Sequence, residues 1–392
     1  MSLKALLKKS RVTYFIARNL IRLPDPFLAG WLRLCHRIRG VDGNKVYFSS
    51  FNGTLCTDNP RAVAEALHAL APEVDLVFRL DRRGMADPDV PGCVRRVPRF
   101  SLRGLMEMAT AKVLVKNQCM KPWMRKFPDQ YYVQTWHGDR GFKKVQLAAY
   151  PDRKIYQKEA EWIDLAVSGS DFGTRVFRES FRLTKGEVLE AGCPRNDLLL
   201  VNPPELAAKV RAELGIPAGA KALLYAPTFR NAGTGSVQES GVDLTRVKAA
   251  LEAATGESWV CLTRSHELCG GIEAAGTKDV TGYPDVSALL LAVDLMITDY
   301  SSIGGDFMLL NRPCLYFMPD LGDYNAERGF AFDPEASPLL IAHDEDELIA
   351  LLSRPIDAAS NCRAVLDYFG VHETGHAAEA VARRILAAMG KG

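Results

Sequence analysis

The chain has 392 residues, of which 47% are hydrophobic and 24% are charged, and its formal net charge is +2. This length predicts two domains, and the composition is typical of a globular enzyme. The balanced charge argues against a general nucleic-acid-binding protein. A transmembrane helix is not expected, because no stretch approaches the roughly 20 apolar residues that span a bilayer. A signal peptide is not expected either, because the N-terminus lacks the apolar core and the cleavage site.

The first 40 residues differ from the rest because their charge is one-sided. Asp25 is the sole acidic residue there, and apolar side chains are interleaved with the basic ones on both sides of a break at Pro24 and Pro26. We predict two short basic amphipathic helices that bind an anionic membrane surface. The alternative is a helix packed on the protein with a solvated basic face. The basic residues are Lys4, Lys8, Lys9, Arg11, Arg18, Arg22, Arg33, Arg37 and Arg39.

Strand and helix patterns alternate from residue 45 to about residue 192. Such alternation predicts a mostly parallel sheet covered by helices. The predicted strands are 45–51, 75–80, 111–117, 131–138, 164–170 and 187–192, and the predicted helices are 61–70, 101–110 and 172–181.

A second series of the same kind follows Pro203 and Pro204. Its apolar runs suit central parallel strands, so we predict a second α/β domain that faces the first across a cleft. The polar segment 231–241 is a candidate lid. The predicted strands are 222–228, 258–264, 293–300 and 314–318, and the predicted helices are 243–254, 285–292, 304–310 and 376–389.

The cysteines are scattered and form no CxxC pair. Their number is nine, an odd count in a chain long enough to build its own core. Disulfide and zinc interpretations are both weak, and reduced thiols in the cytoplasm are the better hypothesis.

Polar residues concentrate at the predicted carboxyl ends of the strands, where open parallel sheets bind their ligands. His137 follows one strand, precedes Gly138 and stands near Lys143 and Lys144. An imidazole in this setting can accept a proton near neutral pH, although a structural histidine is the plainer alternative.

Two further strand ends, both in the second domain, are followed by residues that can bind anions. Arg264 and His266 suit a diphosphate. Asp299, Ser301 and Ser302 precede a predicted helix whose N-terminus attracts anions, with simple N-capping by the serines as the alternative. Additional nucleotide-pocket candidates are Arg195 and Asn196, Thr228, and the loop residues Asp323 and Tyr324.

Taken together, these motifs resemble the CDP-glycerol:poly(glycerophosphate) glycerophosphotransferases over roughly residues 45–390. The resemblance implies a GT-B-like fold of two Rossmann-like domains and transfer of glycerol phosphate from CDP-glycerol to a lipid-linked acceptor, with release of CMP. It also implies a peripheral protein at the cytoplasmic face of the membrane. The segments that carry it are TWHG with the following lysines (135–144), GCPRND (192–197), LLYAPTFR (223–230), RSH (264–266), DLMITDYSS (294–302) and RPCLYFMPDLGDY (312–324).

One loop departs from the family pattern. After TWHG the family usually continues with Thr-Pro-Leu, whereas this chain has Asp139, Arg140, Gly141 and Phe142. We expect this loop to contact the acceptor side, so the acceptor and the transferred polyol phosphate stay open.

The resulting hypothesis divides the chain into a membrane-associating segment (1–40), an acceptor domain (41–200) and a CDP-polyol domain (201–392), with a C-terminal helix that crosses back. His137 is the base on the acceptor hydroxyl, His266 is the second catalytic histidine, and Asp299 orients the serine loop or a base. No cofactor is required, and Mg²⁺ on the diphosphate stays open. The alternatives are a sugar-nucleotide glycosyltransferase and a non-catalytic, membrane-bound nucleotide-binding protein. The proposed diphosphate and nucleotide contacts are Arg264, Ser301, Ser302, Arg195, Asn196 and Thr228.

Overall fold

The computed structural model describes residues 24–228, 242–265 and 276–391. The first predicted basic helix, the candidate lid at 231–241 and His266 lie outside these ranges. Within the described residues, the chain forms one seven-stranded and one six-stranded sheet, and neighbouring strands in both run parallel. Two Rossmann-like α/β domains therefore make up the described fold.

The first sheet has the strand order β3-β2-β1-β4-β5-β6-β7. Its elements and the helices between them are α1 (Pro24–Arg39), β1 (Asp42–Ser49), α2 (Asp58–Leu70), β2 (Asp75–Leu80), α3 (Arg82–Ala86), β3 (Val94–Pro98), α4 (Leu102–Thr110), β4 (Ala111–Lys116), β5 (Tyr131–Gln134), α5 (Gln146–Ala149), α6 (Lys154–Trp162), β6 (Leu165–Ser168), α7 (Asp171–Glu179), β7 (Glu187–Glu190), α8 (Asp197–Val201) and α9 (Pro204–Glu213).

The second sheet has the equivalent order β10-β9-β8-β11-β12-β13. Its elements and the helices that follow are β8 (Lys221–Ala226), α10 (Leu244–Thr255), β9 (Trp259–Thr263), β10 (Thr277–Asp279), α11 (Val286–Leu291), β11 (Leu295–Thr298), α12 (Ile303–Phe307), β12 (Cys314–Phe317), α13 (Leu321–Arg328), β13 (Leu340–Ala342), α14 (Glu345–Leu352), α15 (Ala358–Phe369) and α16 (Ala377–Ala388).

Both faces of each sheet are buried, which explains the continuous apolar runs of the strands. Val46 and Phe48 belong to one core cluster and Tyr47 to another, because successive side chains of β1 point to opposite faces. The same alternation places Leu224 of β8 in one core cluster and Leu223 in another.

The strand order reverses between β1 and β4 in the first sheet and between β8 and β11 in the second. Crevices at such reversal points are where doubly wound sheets bind ligands. Segments that follow β8 and β11 carry Thr228, Asp299, Ser301 and Ser302, so the topology places these predicted residues at the second sheet's crevice.

The last helix, α16, packs on the first domain. Val381 and Ile385 share a core cluster with Val63 and Leu67 of α2. Asp197 holds the start of α16, because its carboxylate accepts the amide hydrogens of Ala377 (2.9 Å) and Ala378 (2.8 Å).

Helix α1 also packs on the first domain. Leu32 and Cys35 are buried in a cluster with Leu105 of α4, and the indole of Trp31 donates a hydrogen bond to the Leu102 carbonyl (3.0 Å). The opposite face stays exposed. None of the described helices has the length and apolar run needed to cross a membrane.

Candidate active site

The two domains line a common cavity of about 610 Å³. The first domain contributes the loop that follows β5, and the second contributes the segments after β8, β9 and β11. The structure therefore brings predicted residues from both domains to one crevice. The predicted residues that line it are His137, Lys143, Thr228, Arg264, Ser301 and Ser302.

The loop after β5 is held in a strained conformation. Trp136 has a positive φ of 52°, which is uncommon for a bulky residue. The backbone amide of Trp136 donates to the side-chain oxygen of Gln134 (3.0 Å), and the side-chain amide of Asn59 donates to the carbonyl of Trp136 (3.0 Å). These hydrogen bonds fix the direction in which the next residue, His137, projects.

The environment of His137 specifies its tautomer. Nδ1 lies 2.6 Å from the carbonyl oxygen of Asn117, and because a carbonyl only accepts, Nδ1 carries the proton. Burial lowers the pKa of His137 below 6.5, an effect opposed by the Asn117 carbonyl and by Asp58 and reinforced by Arg195 and Lys143. The imidazole is therefore neutral at pH 7, with an unprotonated Nε2 that can accept a proton.

Asn117 contacts the candidate site and was not expected from the sequence. Besides its contact with His137, its side chain accepts from the amide of Phe51 (2.8 Å) and donates to Asp58 (3.1 Å). The ring of Phe51 meets that of His137 edge-on at 5.8 Å. The one sequence feature that could have identified Asn117 is its position at the end of β4, next to the strand-order reversal.

In the second domain, the carboxylate of Asp299 binds a backbone amide. Both of its carboxylate oxygens accept from the amide of Thr228, at 2.8 and 3.0 Å, and the residue is 4% exposed. It therefore orients the loop after β8, whereas the predicted targets of its orienting role were the serine loop or a base. Arg264 is anchored in turn, because one guanidinium nitrogen donates to the carbonyls of Val280 and Tyr283, each at 2.9 Å.

The serine loop approaches the first domain at Gly138. A Cβ atom on Gly138 would lie 2.8 Å from the Ser302 hydroxyl oxygen, so the absence of a side chain permits this contact. The helix that follows is shorter than predicted: α12 spans five residues, and 308–310 form a 3₁₀ turn. The predicted helix-dipole contribution is correspondingly small, and the hydroxyls and cations carry the site's polarity.

The described lining of the cavity is cationic. It includes Lys143, Arg264 and Arg328 and contains no described carboxylate. Lys143 stands over the ring of Tyr324 at 5.7 Å, and that ring stacks on Tyr300 at 3.8 Å. Over the part of the chain that the structure describes, no group of three or more His, Cys, Asp or Glu side chains is arranged to hold a metal ion. The cavity suits an anionic ligand with several oxygen atoms, such as a diphosphate.

Arg195 and Asn196 do not line this cavity. Arg195 binds Asp306 (2.7 Å) and Asp58 (3.2 Å), and Asn196 is fully buried and donates to Asp306 (3.1 Å) and Glu373 (2.7 Å). They organise the junction between the domains instead. Arg195 does line a neighbouring cavity of about 520 Å³ together with Arg264 and Ser265.

Most of the Asp139–Phe142 loop, which we expected on the acceptor side, is buried at the domain junction, and of its residues Gly141 and Phe142 line the common cavity. Asp139 is 7% exposed and accepts from the amide of Gly169 (3.1 Å), and Arg140 is 2% exposed and donates to Asp306 (2.9 Å). Phe142 packs against Tyr316 and other rings of the second domain's core. Arg140 and Phe142 find their partners across the domain junction, whereas Asp139 accepts hydrogen bonds within the first domain.

Glu373 completes this junction. Its carboxylate accepts from the amide of Cys193 (2.8 Å) and from Asn196, and it lies 3.5 Å from Arg140. Burial raises the pKa of Glu373 to about 7, although Arg140 and these hydrogen bonds favour the charged form. A carboxylate with this pKa changes its charge near neutral pH at the point where the domains meet.

Comparison with known proteins places the chain in a family. The family model of CDP-Glycerol:Poly(glycerophosphate) glycerophosphotransferase matches residues 32–387. The chain belongs to this family.

Curated members of the family are similar over most of the chain. A teichoic acid poly(glycerol phosphate) polymerase of Bacillus subtilis (strain 168) is 32% identical over 335 residues, which cover 80% of this chain and 45% of the polymerase. A teichoic acid glycerol-phosphate transferase of Staphylococcus aureus (strain NCTC 8325 / PS 47) is also 32% identical, over 81% of this chain and 85% of that protein. The chain thus spans less than half of that polymerase but most of the transferase.

Solved structures share the fold. The wall teichoic acid polymerase TagF, in a histidine-to-asparagine variant soaked with CDPG, superimposes with a TM-score of 0.81 at 25% identity, covering 97% of this chain and 98% of that chain. The arrangement of two Rossmann-like domains is therefore that of TagF.

Proposed function

We propose that this protein transfers glycerol phosphate, or a related polyol phosphate, from a CDP-polyol to a hydroxyl of a lipid-linked or glycan acceptor and releases CMP. The product is a teichoic-acid-like or other cell-surface polymer. The observation that carries this proposal is that a neutral histidine from one domain and an anchored arginine with hydroxyls from the other line one cationic cavity. Family membership and the CDPG-soaked structure of TagF support the choice of donor.

In this proposal the fold is GT-B-like, and the second domain (201–392) holds the donor. Arg264, Ser301 and Ser302 contact the diphosphate, while Thr228, held by Asp299, borders the same space. His266 is proposed as a further donor contact on the basis of its position in the sequence. The first domain (41–200) presents the acceptor, and α16 crosses back to it.

The transfer step follows from the state of His137. Its Nε2 takes the proton of the acceptor hydroxyl while the hydroxyl oxygen attacks the phosphorus that bears the glycerol. One P–O bond forms, the P–O bond to CMP breaks, and CMP leaves with the electron pair. Arg264 stabilises the charge that grows on the leaving oxygen.

An activity screen tests the donor and the reaction type. CDP-glycerol, CDP-ribitol, UDP-sugars and CMP-sugars are each incubated with the protein and a lipid-linked disaccharide acceptor, with and without EDTA. We expect CMP release and a phosphodiester product from a CDP-polyol, without a metal requirement. Transfer of a sugar would establish the glycosyltransferase alternative, and binding without CMP release under every condition would establish the non-catalytic one.

We also propose that α1 contacts an anionic membrane surface at the cytoplasmic face. Phe27 (61% exposed), Leu34 (48%) and Ile38 (71%) form its outer face beside the exposed Arg33 and Arg37. An apolar face inserts at the acyl boundary, and each nearby cation contributes about 1 kcal/mol on an anionic bilayer.

Replacing Phe27, Leu34 and Ile38 together with serine is expected to reduce co-sedimentation with phosphatidylglycerol vesicles, because the apolar anchor is lost. The inner face of α1 keeps its packing on α4. The control is a Leu200→Ser, Val201→Ser variant, which removes exposed apolar side chains from α8. Equal sedimentation of the triple variant and the wild type would contradict the anchor.

A further inference from the structure

The first two residues of α2 hold the surroundings of His137. The side-chain amide of Asn59 donates to the carbonyl of Trp136, the residue before His137 (3.0 Å). The carboxylate of Asp58 accepts from the side-chain amide of Asn117 (3.1 Å). Nδ1 of His137 in turn donates to the backbone carbonyl of Asn117 (2.6 Å). The start of α2 therefore fixes both the backbone that carries the imidazole and the group that its ring contacts.

Asp58 binds groups that lie outside its own helix. Besides the amide of the next residue (2.7 Å), its carboxylate binds Asn117 and the guanidinium of Arg195 (3.2 Å). Its φ of 63° lies in the left-handed region, which is uncommon for a residue other than glycine. Such a conformation persists where the surrounding contacts hold it, and here those contacts lead to His137.

The charges around His137 oppose one another. Burial lowers the pKa of His137, Arg195 and Lys143 lower it further, and Asp58 and the Asn117 carbonyl oppose this lowering. Arg195 follows β7, whereas Lys143 lies on the same loop as the imidazole. The described cations that line the common cavity with His137 are Lys143, Arg264 and Arg328.

The base therefore has to gain its proton in cationic surroundings. When Nε2 of His137 takes a proton, the neutral ring becomes a positively charged imidazolium, which the neighbouring cations destabilise. A nearby carboxylate stabilises that charge. The contact of Asp58 with Asn117 also supports the carbonyl that keeps a proton on Nδ1 and leaves Nε2 free.

We propose that Asp58 is a positioning residue for His137. It holds Asn117 against Nδ1, and its negative charge stabilises the imidazolium that forms when Nε2 takes the proton of the acceptor hydroxyl. The imidazolium then gives this proton to water, which restores the neutral base. The inference rests on the proposed function, in which His137 is that base.

Two variants at one ion pair test this role. Asp58→Asn removes the charge at nearly constant size and keeps an oxygen that can accept from Asn117. Arg195→Gln removes the cation of the same pair, whose atoms lie 3.2 Å apart. NMR titration of protein with isotope-labelled histidine reports the protonation and tautomer of His137, whose signal is absent from His137→Ala. The control is Asp346→Asn, which neutralises an exposed acid of the second domain.

The two variants are expected to act in opposite directions. Asp58→Asn should lower the pKa of His137 further and move its titration to lower pH, whereas Arg195→Gln should raise this pKa. A purely structural role of the ion pair predicts a rise in both variants, because water would reach a loosened site and relieve the effect of burial. Asp346→Asn should match the wild type.

Activity provides a second readout. Asp58→Asn should lower kcat for CMP release about 10-fold, because the imidazolium loses a stabilising charge. KM for CDP-glycerol should change little, since Asp58 does not line the common cavity. The acidic limb of the pH profile should move to lower pH together with the NMR titration.

The inference is overturned if Asp58→Asn leaves the titration and the tautomer of His137 unchanged, or if the pKa of His137 rises in both variants. If Asp58→Asn does not fold, Arg195→Gln decides, and a titration that does not move to higher pH overturns the inference. The NMR readouts require no turnover. Failure of the proposed function would appear separately, as absence of CMP release from every donor in the screen.

Discussion

Replacing His137 with alanine is expected to lower kcat for CMP release by about 10²–10⁴-fold, the usual contribution of one general base. The fold should persist, because the side chain borders two cavities and, among the described residues, makes one hydrogen bond, to the Asn117 carbonyl. The measurement is the initial rate with CDP-glycerol and acceptor, alongside the free energy of unfolding in urea. His68→Ala, which removes an exposed histidine of α2, is the control. Wild-type turnover in the His137→Ala variant would exclude the base assignment.

The pH profile checks the same assignment independently. Because burial lowers the pKa of His137, the reactive neutral form persists below pH 6.5. The acidic limb of kcat/KM is therefore expected below that pH, with activity falling only as His137 gains a proton. An acidic limb above pH 6.5 would contradict the lowering of the His137 pKa by burial.

The second large effect, a loss of folding stability, is expected at the domain junction. Asp306→Ala should lower the free energy of unfolding by about 3–5 kcal/mol, because it removes the carboxylate that two buried guanidinium groups share. Arg140 and Arg195 both bind Asp306, and their side chains are 1% and 9% exposed. Although burial alone would raise the pKa of Asp306, Arg195 and Arg140 hold it below 3.8, so the carboxylate is charged.

Urea denaturation measures this effect. The control is Asp346→Ala, which breaks an exposed ion pair with Arg246 and is expected to leave stability unchanged. If Asp306→Ala unfolds at the wild-type urea concentration, the junction is not held by this charge network. A loss confined to activity would have the same meaning.

Much of the secondary structure follows from local sequence pattern. Strands 75–80, 111–117 and 314–318 were predicted within one residue of β2, β4 and β12, because buried parallel strands are continuous apolar runs. Strand β3 (Val94–Pro98) was not expected, because its VRRVP sequence has the pattern of a polar segment. Arg95 is accommodated there by ion pairs with Asp75 and Glu107, which local pattern does not reveal.

The candidate site was predicted in part. His137, Thr228, Arg264, Ser301 and Ser302 share one cavity because parallel strands end at a common edge, and that rule needs only strand positions. Arg195 looked equally suitable from its motif. Its guanidinium is instead paired with Asp306 and Asp58, residues more than 100 positions away.

The sequence by itself determined the two α/β domains, the family, and the strand ends that carry the candidate site residues. These features depend on the spacing of hydrophobic residues along each strand and helix and on the order of the motifs. Only the tertiary structure decided which polar groups face a ligand and which face one another. The Asn117 carbonyl fixes the His137 tautomer across 20 residues of sequence, and Arg140 meets Asp306 across 166. The first contact depends on the pairing of β4 with β5 and the second on how the two domains meet, and no local pattern encodes either.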